Sequence, residues 1–81
     1  MTNTEKYKKA FVDSLDVKVE DVEKLEYQSV PEWDSVGHMG LISQLEEAFN
    51  IQIEMDDVVE LGSYKIGIEI LKKYNIEIIT N

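Results

Sequence analysis

The chain has 81 residues and no cysteine, so its fold cannot depend on disulfides or on a thiolate metal site. A chain this short buries roughly 60 to 65% of the surface that its unfolded form exposes, which gives one domain with a small core. Its net charge of −9 disfavours nucleic acid as a partner, because phosphate backbones repel an acidic surface.

The first predicted element is a helix from about residue 3 to residue 15. Its apolar and small residues recur at spacings of three and four, so they share one helical stripe. The stripe consists of Tyr7, Ala10, Phe11, Ser14 and Leu15. The sequence contains no apolar run of about 18 residues, and we expect a soluble, cytoplasmic protein without a membrane span.

The next segment predicts a long, partly ordered loop. Val19, Val22 and Leu25 fit a short helical turn, and Pro31 then favours an extended approach to the second helix. A loop of this length is unusual in a compact domain unless it packs over the core or serves function. The candidate anchors are Val17, Val22, Leu25, Tyr27, Val30 and Trp33.

Three more helices are predicted, at about residues 35–49, 56–61 and 63–74. The first of them begins at Asp34 or Ser35, both good N-cap types, and Ser63 caps the last. The core sides comprise His38, Leu41, Ile42, Leu45, Ala48 and Phe49 on the second helix and Ile66, Ile70, Leu71 and Tyr74 on the fourth. The prediction is an all-α fold, a small four-helix bundle formed by one domain over residues 1–81.

Acidic residues dominate the middle of the chain. No Lys or Arg occurs between Lys24 and Lys65. The acids in that stretch are Glu26, Glu32, Asp34, Glu46, Glu47, Glu54, Asp56, Asp57 and Glu60. Such a surface attracts basic proteins, mainly through faster encounter, although a merely soluble acidic domain would have the same composition.

Ser35 stands at a predicted junction between loop and helix, in the run Trp33-Asp34-Ser35-Val36. Free N–H groups and the positive end of the helix dipole meet at such a junction, so a phosphate on the Ser35 hydroxyl would be well tolerated there. A serine in this place is more often only a helix cap. Position alone therefore does not identify a modification site.

The residues after Ser35 form a wider pattern. Asp34-Ser35-Val36 is followed without gaps by Leu41, Ile42, Leu45, Glu46, Glu47, Phe49, Ile51 and Ile53, and then by Ser63 and Ile68. This pattern resembles the acyl carrier protein family, in which an Asp-Ser-Leu motif opens the second helix; here Val36 replaces the leucine. The likeness covers about residues 5 to 74.

The resemblance implies a carrier of acyl-carrier fold rather than an enzyme. Ser35 would receive 4'-phosphopantetheine from coenzyme A through a phosphopantetheinyl transferase that uses Mg²⁺, and Asp34 would support the attachment turn. The thiol of the arm would hold acyl or aminoacyl groups as thioesters for loading and transferring enzymes with basic surfaces. The chain, expected to be a monomer, would supply neither catalytic residues nor a metal site.

Helix geometry predicts a face for these partners around the arm. It comprises Val36, Met39, Ser43, Glu46 and Glu47 on the second helix and Asp56 on the third. Apolar side chains ringed by acids suit brief contacts with basic proteins, because a carrier must leave each enzyme quickly. The alternative interpretation is a solvated helix face with edge packing at Val36 and Met39.

Two glycines depart from the pattern of fatty-acid carriers, which commonly have acids two and five residues after the serine. This chain has Gly37 and Gly40 at those places. A glycine inside a helix costs about 1 kcal/mol relative to alanine, so the start of the second helix is expected to be frayed or closely approached by a partner. The run from Trp33 to His38 looks more like free-standing carriers of specialised pathways, such as secondary metabolism or surface-glycan acylation, than like standard fatty-acid carriers.

Two other functions compete with a carrier. One is an unmodified acidic module that docks a basic partner through the second helix. The other is a hydrolase with Ser35 as nucleophile and His38 as base, but it lacks an orienting third group and an oxyanion hole. His38 is instead expected at the edge of the core, hydrogen-bonded, or at the mouth of a pocket for the carried group.

Overall fold

The structure, a computed structural model, describes residues 2–79, which form four α-helices and a 3-10 helix without any strand. The α-helices are α1 (Asn3–Leu15), α2 (Ser35–Phe49), α3 (Met55–Glu60) and α4 (Tyr64–Lys72), and the 3-10 helix spans Val19–Lys24. The predicted all-α class is confirmed. None of these helices is long and apolar enough to cross a membrane. The ends of the predicted domain, Met1, Thr80 and Asn81, lie outside the described residues.

Helices α1 and α2 have the bounds that the sequence predicts. Thr2 caps α1 in a capping box, in which Glu5 N donates to Thr2 Oγ1 at 3.1 Å and Thr2 N donates to Glu5 Oε1 at 2.9 Å. Both helices end at a residue in the left-handed region, Asp16 with φ 54° and Asn50 with φ 53°. Asp and Asn tolerate this conformation better than most residues, so they stop the helices at low cost.

Four interlocked aromatic rings form the centre of the core. The ring centroids of Tyr7 and Phe11 on α1 lie 5.0 Å apart, and Phe11 meets the ring of Trp33 at 5.6 Å. Tyr64 of α4 packs on Tyr7 at 4.6 Å, and the Tyr7 hydroxyl donates to the Tyr64 carbonyl oxygen. Burial raises the pKa of Tyr7 well above its ordinary value, so the phenol stays a neutral donor.

The long first connection packs over this core. Its fully or nearly buried residues are Val22, Leu25 and Trp33. An isolated antiparallel bridge ties it to the start of α4, with Tyr27 N donating to Gly62 O at 2.8 Å and Tyr64 N donating to Leu25 O at 3.1 Å. The 3-10 helix lies where the short helical turn is predicted. Its buried side chains and the bridge to α4 hold the segment more firmly than a partly ordered loop would be held.

The last two helices differ from their predicted bounds. Helix α3 begins and ends one residue earlier, and α4 ends at Lys72 rather than at residue 74. Residues 73–75 form a turn in which Asn75 has φ 64°, and Ile76 N donates back to Leu71 O at 3.1 Å. This left-handed closure stops α4 before Tyr74.

One residue of the predicted α4 stripe lies outside the core, whereas Ile70, Leu71 and Tyr74 of the same stripe lie in it or pack against it. Ile66, assigned to the core stripe, is 44% exposed. Gly67 faces the core in its place, because a Cβ on this residue would overlap the Tyr7 hydroxyl. Packing of Gly67 against Tyr7 therefore leaves Ile66 at the edge of the buried side of α4.

The segment after α4 returns to the N-terminal end of α1. Ile76 and Ile78 are buried, whereas Ile79 is 65% exposed. The backbone N of Ile79 donates to Thr4 Oγ1 at 3.0 Å, and Asn3 Nδ2 donates to Glu77 O at 3.4 Å. The apolar end of the described chain thus covers part of the core.

A buried carboxylate fastens α3 to the turn after α4. Asp57 is only 6% exposed, and it accepts hydrogen bonds from Lys73 Nζ at 2.9 Å and from Tyr74 Oη at 2.7 Å. The hydrogen bond from Lys73 and then that from Tyr74 lower the pKa of the Asp57 carboxyl below its ordinary value. Tyr74 Oη in turn accepts from Glu54 N at 3.0 Å.

Replacing Asp57 should change the response of the fold to acid. Because its folded pKa lies below the unfolded value of about 3.9, the carboxylate stabilises the fold above that value, and the contribution is lost as the pH falls through the folded pKa. Asp57→Asn should therefore lower the Tm at neutral pH and flatten the fall of Tm between about pH 5 and pH 2. Thermal unfolding followed by circular dichroism measures both effects.

The matched control is Asp56→Asn, which changes the exposed neighbour on the same helix. Its pH profile should follow that of the wild type. Parallel wild-type and Asp57→Asn profiles would contradict the role given to the Asp57 carboxylate.

Candidate functional site

Ser35 is the first residue of α2, and its side chain is exposed. The N-cap is Asp34, whose Oδ1 accepts a hydrogen bond from Gly37 N at 2.8 Å. Of the two N-cap candidates in the sequence, Asp34 therefore satisfies the free backbone donor. Ser35 is not needed as a cap, and its hydroxyl is available at the surface.

The electrostatics of this end of α2 favour a negative group on Ser35. The helix has 15 residues, and its first turn contains no acidic residue beyond the N-cap carboxylate of Asp34. Its unpaired N–H groups and the positive end of its dipole lie beside the Ser35 hydroxyl. A phosphodiester at this oxygen would be stabilised by both.

His38 lies one turn after Ser35 and joins three segments of the chain. Trp33 Nε1 donates to His38 Nδ1 at 2.9 Å. Because Nδ1 accepts this hydrogen bond, we assign the ring proton to Nε2, which donates to the carbonyl oxygen of Val58 in α3 at 2.7 Å. We refer to Trp33, His38 and Val58 as the His38 bridge.

The aromatic neighbours of His38 reinforce the bridge. The His38 and Trp33 rings are nearly parallel, at an angle of 17° with centroids 6.2 Å apart, and Tyr27 meets His38 edge to face at 5.5 Å. His38 is half-buried. It is thus a hydrogen-bonded residue at the edge of the core, the first of the two roles that the sequence leaves open.

The bridge weighs against a Ser-His hydrolase. A general base must accept the proton of its nucleophile through a free ring nitrogen. Here Nδ1 is occupied by Trp33 and Nε2 by Val58. The spacing of Ser35 and His38 places them on one side of the helix, but neither ring nitrogen of His38 is free to accept from Ser35.

Gly37 allows the preceding loop to pass close to α2. A Cβ on Gly37 would overlap the carbonyl oxygen of Glu32 and lie 3.2 Å from Leu15 Cδ2. Gly40 has room, since a Cβ on that residue would lie 4.0 Å from its nearest neighbour, the Cβ of Ser14. Helix α2 is regular from Ser35 onward. The close neighbour of Gly37 is the chain's own backbone.

The predicted partner face is largely exposed. Its exposed members are Val36, Met39, Ser43, Glu47 and Asp56. Glu46 differs, because it is half-buried and its Oε2 accepts a hydrogen bond from Ile53 N at 2.9 Å. The Glu46 carboxylate therefore holds the connection from α2 to α3, in addition to any contact with a partner.

Sequence reasoning missed two exposed apolar residues of α3. Met55 is 71% and Val59 is 78% exposed, compared with 80% for Val36 on α2. Val58 contacts His38 through the bridge, and this contact brings α3 against the first turns of α2. Their spacing in the sequence could have indicated this, because residues four apart, such as Met55 and Val59, lie on one side of a helix.

Comparison with protein-family models gives no match, and comparisons with curated proteins and with solved structures give none either. Within residues 2–79, no group of three or more His, Asp or Glu side chains is arranged to hold a metal ion. The function is therefore inferred from the residues and geometry at the start of α2.

The division of roles between Asp34 and Ser35 predicts different effects on stability. Asp34→Ala removes the cap and should lower the free energy of unfolding by about 1 kcal/mol. Ser35→Ala removes an exposed hydroxyl and should change it by less than about 0.5 kcal/mol. Urea unfolding of the two variants measures the difference. A larger loss for Ser35→Ala would show that Ser35 is the cap.

The two glycines of α2 should respond to alanine in opposite directions. Gly37→Ala forces the new Cβ against Glu32 and should cost roughly 1 to 3 kcal/mol of unfolding free energy. Gly40→Ala, the control in the same helix, should gain up to about 1 kcal/mol through helix propensity. Urea unfolding again provides the measurement, and a stabilised Gly37→Ala protein would refute the close approach of the loop.

Proposed function

We propose that this protein is a carrier in which 4'-phosphopantetheine, joined to Ser35 through a phosphodiester, holds acyl or aminoacyl groups as thioesters. The observation that carries the proposal is the exposed Ser35 hydroxyl beside Asp34, which performs the capping itself. Because Asp34 caps the helix, the Ser35 hydroxyl is available for modification. The sequence around it resembles acyl carriers over most of the chain.

We further propose that the all-α fold is a four-helix bundle of acyl-carrier type. Three longer helices, α1, α2 and α4, are combined with the short α3. The long first connection covers the core through the ring of Trp33. These features support the arrangement that the resemblance implies.

Attachment would be a simple displacement at phosphorus. The Ser35 oxygen attacks the phosphorus of coenzyme A that bears the pantetheine, and a new P–O bond forms. The bond from that phosphorus to the bridging oxygen breaks, adenosine 3',5'-bisphosphate leaves, and the hydroxyl proton passes to a base of the transferase. The arm supplies the thiol that this cysteine-free chain lacks.

The residues around Ser35 have defined tasks in this proposal. Asp34 holds the first turn through Gly37 N, so the Ser35 oxygen keeps its place at the positive end of the helix. Val36 and Met39 offer exposed apolar contacts, and Glu47 offers negative charge to basic partners. The proposed partners are the phosphopantetheinyl transferase and the enzymes that load and transfer the carried group.

Intact mass measures the modification directly. After incubation with coenzyme A, Mg²⁺ and a phosphopantetheinyl transferase of broad specificity, the wild type should gain one phosphopantetheinyl group. Ser35→Ala should gain none, because it lacks the nucleophile. Ser29→Ala, which changes an exposed serine outside the partner face, should be modified like the wild type.

Absence of a mass gain, or a gain that survives Ser35→Ala, would overturn the proposal. An unmodified docking module, which uses the same acidic face, predicts a different pattern. Ser35→Ala would then leave partner binding unchanged, while added salt would weaken it through screening of the charges.

A further inference from the structure

The His38 bridge lies one helical turn after Ser35 and links α2 to the loop and to α3. Ser35 and His38 are three residues apart, so they lie on the same side of α2. The Nε2–H of His38 donates to Val58 O at 2.7 Å and closes the seam between α2 and α3 at this point. A group attached to Ser35 that turned inward along this seam would meet His38 first.

Opening the seam would break a connected set of contacts. If His38 moved aside, the N–H of Trp33 would lose its acceptor, and this indole is 0% exposed. Leaving a buried N–H without an acceptor costs free energy, and so does leaving the Val58 carbonyl oxygen without its donor. Leu41 and Leu45 on the inner side of α2 are 0% and 1% exposed, so a chain that entered there would have to displace side chains of the packed core.

The gain from burying a carried group grows with its apolar length. A short acyl group, or an aminoacyl group with its charged amine, gains too little to offset the loss of the bridge. Such a group exposes little apolar surface to water, so it does not need an internal cavity. A long alkyl chain is different, because it would remain exposed unless the bridge opened.

We infer that the protein carries short or polar groups, an aminoacyl group or an acyl group of a few carbons, held outside the bundle because the His38 bridge closes the seam behind Ser35. This inference rests on the proposed function and names its class of substrate. The carried group is then within direct reach of partner enzymes, and its specificity is set by them.

The absence of cysteine allows a test that needs no transferase. Ser35→Cys introduces a unique thiol, which is alkylated with a haloacetamide arm of pantetheine length. The arm ends in an acetyl, butyryl or decanoyl amide, so hydrolysis of a thioester does not interfere. The readouts are the Tm and the NMR signal and exchange rate of the single indole N–H, that of Trp33.

All three conjugates should have the same Tm within about 1 °C and the same slowly exchanging Trp33 signal. That tolerance corresponds to a small fraction of 1 kcal/mol for a domain of this size. A decanoyl conjugate with a raised Tm and a displaced or rapidly exchanging indole signal would overturn the inference. Such a result would mean that the chain enters the protein past the bridge.

His38→Ala in the Ser35→Cys background tests whether the bridge is the barrier. Removal of the ring should allow the decanoyl arm, but not the butyryl arm, to raise the Tm above that of the acetyl conjugate. An identical response of both proteins to the decanoyl arm would overturn the inference. Should the double variant not fold, the three conjugates with intact His38 decide alone.

The two proposals fail in distinguishable ways. Because the arm is attached chemically, the conjugates report on cargo housing whether or not a transferase recognises Ser35. Failure of enzymatic modification overturns the proposed function, whereas entry of the decanoyl chain overturns only the class of cargo.

Discussion

The buried Trp33 indole needs a hydrogen-bond acceptor, and several segments of the protein are arranged around that need. The side chain is fully buried, so its one N–H must find an acceptor within the protein. His38 Nδ1 provides it, and this choice fixes the proton on Nε2, which then donates to Val58 O. One buried indole thereby determines the tautomer of the histidine and the attachment of α3 to α2.

The same requirement explains why glycine occupies position 37. To insert Trp33 into the core, the loop must run close to the first turn of α2, and the Glu32 carbonyl oxygen then occupies the space of a Cβ on Gly37. The backbone N of Gly37 meanwhile donates to the Asp34 cap. Anchoring the loop, capping the helix and presenting Ser35 are therefore parts of one local arrangement. A residue with a Cβ at position 37 would disturb this arrangement.

Local sequence signals were sufficient for α1 and α2, because an apolar stripe and a polar stop residue define each helix. They misplaced Ile66 of α4, because Gly67, which packs against Tyr7 60 residues away in the chain, faces the core instead. The anchoring role of Asp57 was missed for the same reason, since Lys73 and Tyr74 lie on the far side of α4 in sequence. Contacts between residues that are far apart in the chain produce no periodic pattern in the sequence.

At the candidate site, the sequence pointed to Ser35 and Asp34 but did not show which of the two caps α2. Both are good N-cap residues, and only the hydrogen bond to Gly37 N distinguishes the cap from its neighbour. The role of His38 was open for a similar reason. Spacing places an imidazole on one side of a helix, but its function depends on what each ring nitrogen contacts, and here both contacts come from other segments.

The acidic middle of the chain has a smaller role at the surface than its composition suggests. Three of its acids have structural tasks: Asp34 caps α2, Glu46 accepts from Ile53 N, and Asp57 binds Lys73. Asp34 is nevertheless exposed, as are the remaining six: Glu26, Glu32, Glu47, Glu54, Asp56 and Glu60. Exposed charges accelerate encounter with a basic partner but add little affinity. Lasting contact would then depend on the few apolar side chains nearby, a combination that favours rapid arrival and rapid release.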